Sequence, residues 1–152
     1  MPGAPTMRQI EELMRCDRIV AGGFFGNDIR PLEEIVQADA ATLKALKATS
    51  DQLAQRMKAL RDLGLPYLGN TVAAGEGLEV RIDENRGTLI CPFGDGTRHF
   101  KTITHCRRLA DGRQRRWSDL NIHLIEAHGF FEGQGCAFRL EPADLVELLL
   151  LR

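Results

Sequence analysis

Leu78-Glu-Val-Arg-Ile-Asp-Glu-Asn-Arg-Gly87 is the stretch that decides the fold class. Leu78, Val80 and Ile82 alternate with Glu79, Arg81 and Asp83, the period of a strand with one buried face. Glu84-Asn85-Arg86-Gly87 carries turn chemistry, and Thr88 to Cys91 returns as a second strand. Downstream, Pro92-Phe-Gly-Asp-Gly-Thr97 makes the next turn and Arg98 to Leu109 a long third strand. Asp111-Gly112 turns again, and Arg113 to Trp117 forms a fourth. Successive strands joined by tight turns predict an antiparallel sheet. Ser118 is a good N-cap for a helix running to His128, with Gly129 just past its end. Pro142 opens a last apolar helix through Leu145, Val146, Leu148 and Leu149.

Upstream the period changes to that of helices. Thr6 to Val20 carries Ile10, Leu13, Met14 and Val20 at helical spacing and is ended by Gly22, Gly23 and Gly26; Phe24 and Phe25 in that loop read as core plugs. After Pro31 comes a heptad series: Leu32, Val36, Asp39, Leu43, Leu46, Ser50, Leu53, Met57 and Leu60, with polar breaks at Asp39 and Ser50. Thr49 with Gln52 is a capping box, so the series is either one long bent helix or a helical hairpin, stopped by Leu63-Gly64 and Pro66. The helical hairpin would bury the stripe within the chain; a homodimer through the helix around Leu32–Leu60 would bury it against a second copy. Leu43 to Met57 also has the outline of a helix-turn-helix DNA reader, though its turn lacks glycine and Gln52, Gln55, Arg56 and Lys58 are sparse for groove contacts. Gly64 to Gly77 reads as a linker. The expectation is an α+β protein: a helical segment over 1–66, then over 67–152 a four-stranded antiparallel sheet with two short C-terminal helices, the whole forming one compact unit.

A chain of 152 residues can bury a real core without disulfides or metal. A net charge of −1 removes any global field toward nucleic acid or membrane. The opening Met1-Pro-Gly-Ala-Pro-Thr-Met-Arg8 has no apolar signal region, and Leu148 to Leu151 is too short to span a bilayer. The expectation is therefore a cytoplasmic protein whose four cysteines are reduced thiols.

All the histidines of the chain (His99, His105, His123, His128), with Cys91 and Cys106, fall between residues 91 and 128. Such clustering suits a transition metal, and zinc favours sulfur and imidazole. Residues 88–129 resemble the zinc finger that holds its ion with a cysteine pair and a histidine pair. His123 and His128 match its histidine spacing; Cys91 and Cys106 depart from it, with fourteen residues between them. Along a strand, Cys106 would lie about 26 Å from the turn that Cys91 precedes, too far for one ion. Cys91 falls instead beside His99. The expected metal set is therefore Cys91, His99, His123 and His128, with Cys106 or water as substitute for the fourth ligand. His123 and His128 project about 140° apart on an ideal helix and meet only if the last turn tightens or unwinds.

Other chemistry is thinner. Asp119, His123 and Glu126 share a helix face, and His123-Leu-Ile-Glu-Ala-His128 resembles the inverted zinc-peptidase motif with one residue too many. A small metal-dependent hydrolase would use Glu126 or Asp119 beside an open zinc position. Cys91 with His99 could also make a nucleophile pair, but no signature surrounds the thiol. Arg107, Arg108, Arg113, Arg115 and Arg116 crowd one hairpin next to Trp117 and form the candidate nucleic-acid or phosphate contact, with Asp111 the acid among them. Gly129 to Gly135, with Phe130 and Phe131, is either a ligand surface or an aromatic anchor. Gly75-x-Gly77, Gly94-x-Gly96 and Gly133-x-Gly135 are turn glycines rather than phosphate loops. The leading expectation is a non-enzymatic zinc-binding module for a protein or nucleic-acid partner; a hydrolase and a metal-free structural dimer are the alternatives.

Overall fold

The structure is a computed structural model and describes residues 5–15 and 23–150. Helix α1 (Met7–Met14) starts at a Thr6 capping box with Gln9; the expected extension to Val20 and the stop at Gly22 lie outside the described residues. Helix α2 (Leu32–Ala45) and helix α3 (Ser50–Gly64) are separate. Thr49 accepts from the Gln52 amide and Gln52 returns the bond, so the predicted capping box breaks the heptad series and no long bent helix forms. The other polar break, Asp39, is buried and held by the Arg139 guanidinium at 2.5 and 2.9 Å. Of the apolar heptad positions, Leu32, Leu43, Leu53, Met57 and Leu60 are buried inside the chain, Val36 is half-buried and Leu46 is exposed.

Strands β1 (Val72–Gly75), β2 (Leu78–Ile90), β3 (Arg98–Arg108) and β4 (Gln114–Ser118) form an antiparallel sheet in that order. The expected α+β class and strand number hold, but two boundaries move. Residues 84–87 do not turn the chain: Asn85 pairs with Lys101 and Thr88 with Phe100, so Arg86 and Gly87 are extra residues in a bulge of one long strand. Gly87, at φ 92°, supplies the conformation that a bulge and a turn both demand. The missing strand is β1, inside the segment read as a linker. It pairs with β2 through Glu76-Gly77, both at positive φ as a tight hairpin requires.

The inner sheet face carries Ile82, Thr104 and Trp117 in register, all fully buried, against α3, α4 (Asp119–His128) and α5 (Pro142–Leu150). One apolar cluster joins Leu53, Met57 and Leu60 of α3 to Val80, Trp117, Ile122, Phe131 and Leu145. A second joins Ile10 and Met14 of α1, Phe24, Phe25 and Leu32 to Cys91, Leu120, Leu124 and Phe130. Phe130 and Phe131, neighbours in sequence, enter different clusters, so the 129–135 loop is an aromatic anchor of both. No helix among the described residues is long and apolar enough to cross a membrane.

Candidate metal centre

Two elements bring the site together. The β2–β3 connection, residues 91–97, lies over α4, whose capping box (Ser118, Asn121) fixes its start and whose Gly129, at φ 61°, ends it. Within the connection, the Asp95 carboxylate accepts from the Thr97 amide (3.0 Å) and hydroxyl (2.7 Å) through Oδ1. That fixes the carboxylate plane and turns Oδ2 toward α4. His123 Nε2 lies 2.7 Å and His128 Nε2 2.9 Å from Oδ2, and Cys91 Sγ lies 3.5 Å from His128 Nε2. Cys91, Asp95, His123 and His128 thus form a cluster that could hold a metal ion, one donor atom from each lying within 4.8 Å of the others.

The two rings are held by stacking. Phe93 lies flat on His128 at 3.9 Å, and His99 stacks on His123 at 4.1 Å. The His123 and His128 rings meet edge to face at 5.3 Å while α4 stays regular to its end. The unwinding expected of the last turn is not needed, because a carboxylate from outside the helix reaches between them.

Electrostatically the centre is an anionic hub under two imidazoles. Burial opposes ionisation of Asp95, yet hydrogen bonds from Thr97, His128 and His123 outweigh it and hold the carboxyl far below its ordinary range. Burial, with the Asp95 charge adding to it, pushes the Cys91 thiol up to about 11. Burial, and then neighbouring His123, lowers His99.

The other sequence-predicted residues sit as follows. His99 is beside the cluster, with Nε2 2.9 Å from Thr97 Oγ1. Cys106, the expected substitute ligand, is not among the four clustered donors: it pairs across the sheet with Val80, is fully buried in the apolar cluster of α3, and its thiol is pushed by burial to about 11. His105 bonds Asp83 at 2.9 Å, away from the cluster. Glu126 is bound by Lys58 (2.8 Å) and Gln55 (3.1 Å) of α3. Asp119 Oδ1 is buried at 3.5 Å from Arg61, within ion-pair distance but outside hydrogen-bond geometry. Burial raises its carboxyl against the opposing pull of Arg61.

All five arginines of the hairpin are engaged within the chain. Arg107 binds Glu79 (2.9 Å), Arg108 binds Asp111 and Glu147, Arg113 binds Glu147 (2.7 Å), Arg115 binds Asp144 (2.7 Å), and Arg116 lies over the Phe138 ring. Asp111 is therefore one of four acids there, the others coming from β2 and α5. The polar residues of α3 are used similarly: Arg56 bonds Leu149 O and Glu76, and Lys58 bonds Glu126.

Asp95 is the residue that sequence reading missed. An aspartate two places before a threonine, between glycines, reads as a turn former, and Oδ1 does that job. The second oxygen is free for another role, and the signal was its place midway between Cys91 and His99. No family model, curated protein or solved structure matches the chain.

Proposed function

We propose that the protein is a non-catalytic zinc module, in which one ion on Cys91, Asp95, His123 and His128 fastens α4 to the β2–β3 connection and holds a surface in shape for a protein partner. The convergence of two imidazole nitrogens, a thiol and a carboxylate from two elements carries this reading. Zinc takes that donor set four at a time, and four protein donors leave no position for substrate, the mark of a structural site. Donors about 2.0–2.3 Å from one zinc lie roughly 3.3–3.8 Å apart. The Cys91–His128 separation of 3.5 Å falls in that range; the Asp95–histidine separations of 2.7 and 2.9 Å are hydrogen-bond lengths that open slightly around an ion. A metal would also deprotonate the buried Cys91 thiol and give its charge a partner. Thr97, Phe93 and His99 then act as outer supports that orient the donors.

Hydrolase chemistry is disfavoured because Glu126 is already clamped by Lys58 and Gln55, and Asp119 faces Arg61. A nucleic-acid partner is disfavoured because the arginine hairpin is neutralised by acids of β2, α5 and its own turn.

The test is elemental analysis of untagged protein. Wild type is expected to hold about one zinc per chain, lost in Cys91→Ala, Asp95→Ala and His123→Ala, with a chelator lowering the melting temperature of wild type and not of these three variants. His99→Ala is expected to retain the ion at reduced affinity, since His99 supports His123 rather than binding. Metal-free wild type whose melting ignores the chelator would sink the proposal.

A further inference from the structure

At the start of α4, beside Ser118 and Leu120, lies a cavity of about 380 Å³. Phe24, Leu89, Ile103, Leu120 and Phe138 make it largely apolar, and its volume is within the ~300–1,000 Å³ usual for small-molecule sites. One acid, Glu132, stands in its wall, 6% exposed.

Several features place that carboxyl. Glu132 has a left-handed backbone, φ 68°, which a non-glycine residue keeps only where its surroundings impose it. They do so here from both sides. Arg139 donates to Glu132 O (2.8 Å), Gly133 N donates to Phe24 O (2.8 Å), and a Cβ at Gly133 would lie 2.5 Å from Phe25 O. The side chain is fixed as well. Asn121 accepts from the Ser118 amide through Oδ1, so its Nδ2 must face Glu132, to which it donates at 2.6 Å.

What the carboxylate lacks is a cation. Among the described residues none forms an ion pair with it: Arg139 spends its guanidinium on Asp39, Glu141 and the Glu132 carbonyl. Lys101 also lines the cavity, but its ammonium lies by the Gly87 bulge. A buried acid without a positive partner is expensive, and an apolar wall around it excludes a hydrated metal cation.

We propose that this cavity is a ligand site for a small apolar amine, its ammonium group bonding Glu132 and its aryl or alkyl body lying between Phe24, Leu120 and Phe138. A rigidly held acceptor and an apolar cavity make the site ready for a ligand without rearrangement. A charge-assisted bond to a desolvated carboxylate gives selectivity for amines over acids of the same shape.

The test is NMR titration of the full, metal-loaded chain with phenethylamine and with phenylpropanoate, at about pH 8, where the Glu132 carboxyl is ionised although burial raises it to about 7. Phenethylamine is expected to shift the amides of Leu120, Asn121 and residues 131–138, and to bind at least about tenfold more tightly than phenylpropanoate. Glu132→Gln, which keeps the shape, should weaken the amine about tenfold or more. Ala137→Trp, at an exposed position in the cavity wall, should block it with the fold intact. No amine-induced shift, equal affinity for the two probes, or unchanged affinity in Glu132→Gln would overturn the assignment.

Discussion

At the scale of single residues, Glu132 has a thermodynamic consequence independent of any ligand. Burial raises its carboxyl from an ordinary 4.5 to about 7, against the opposing effects of Asn121 and then Arg139. The folded chain therefore holds this proton more tightly than the unfolded chain. The stability that follows is present in full below about pH 4.5 and is lost as pH rises toward about 7, a total of about 3 kcal/mol. Glu132→Gln has no such proton. Urea denaturation of both proteins at about pH 5 and about pH 8 should show the variant gaining on wild type by about 2.5 kcal/mol across that interval. Titrations shared by the two proteins, those of the candidate metal cluster included, cancel in the difference, and parallel pH curves would refute the argument. Neither Glu132 nor Asp95 was legible as special in the sequence, for related reasons. Each is an acid among glycines in a loop, and composition there predicts exposure. What sets them apart comes from distant segments: burial beside Phe24 and Arg139 for Glu132, and the α4 imidazoles for Asp95, which itself stays exposed. Cys91, His123 and His128 were legible because those residue types are scarce in the chain and close together.

At the scale of elements, sequence and structure agree where the signal is a period or a cap and part where one residue type serves two geometries. Thr49 and Ser118 begin helices as read, since their side chains meet only local partners. Gly87 was read as a turn and is a bulge, because positive φ suits both. Gly64 was read as a helix stop, yet it is the last residue of α3 with right-handed backbone. Its lack of a side chain serves packing: a Cβ there would lie 2.7 Å from Ile82 Cγ1 and 3.3 Å from Val80 Cγ2. This close approach seats α3 on β2. Alanine in place of a helical glycine ordinarily stabilises by about 1 kcal/mol. Here the sign should reverse, with Gly64→Ala costing about 1–3 kcal/mol as β2 is pushed away. Chemical denaturation of the variant decides it; a stabilised Gly64→Ala would mean that helix and strand part without strain.

At the scale of the whole molecule, the change of period near Gly64 divides the sequence into a helical and a β half, but the core ignores that division. One cluster sets Leu43, Leu53, Met57 and Leu60 against Val80, Trp117, Ile122 and Leu145; the other sets Ile10, Met14, Leu32 and Ile35 against Cys91, Leu120, Leu124 and Phe130. Asp39 and Arg139 add a buried ion pair between the halves, and cutting such a pair leaves a charge without compensation. Amphipathic patterns reveal that a face is buried but not what buries it, so this interlocking could not be read from the sequence. Neither half can then keep its apolar face from water alone. Trp117, the one tryptophan, is fully buried where α3 meets the sheet and reports on that junction directly. Urea unfolding followed by its fluorescence should coincide with unfolding followed by circular dichroism, in one transition. Residues 67–152 expressed alone, with metal supplied, should show exposed-tryptophan emission and collapsed NMR dispersion. The candidate metal cluster, which lies wholly within that fragment, cannot substitute for the α3 surface against which Trp117 packs. Two separated transitions in the full chain, or a fragment with native dispersion, would show that the β half folds independently and that the helices are an addition to it.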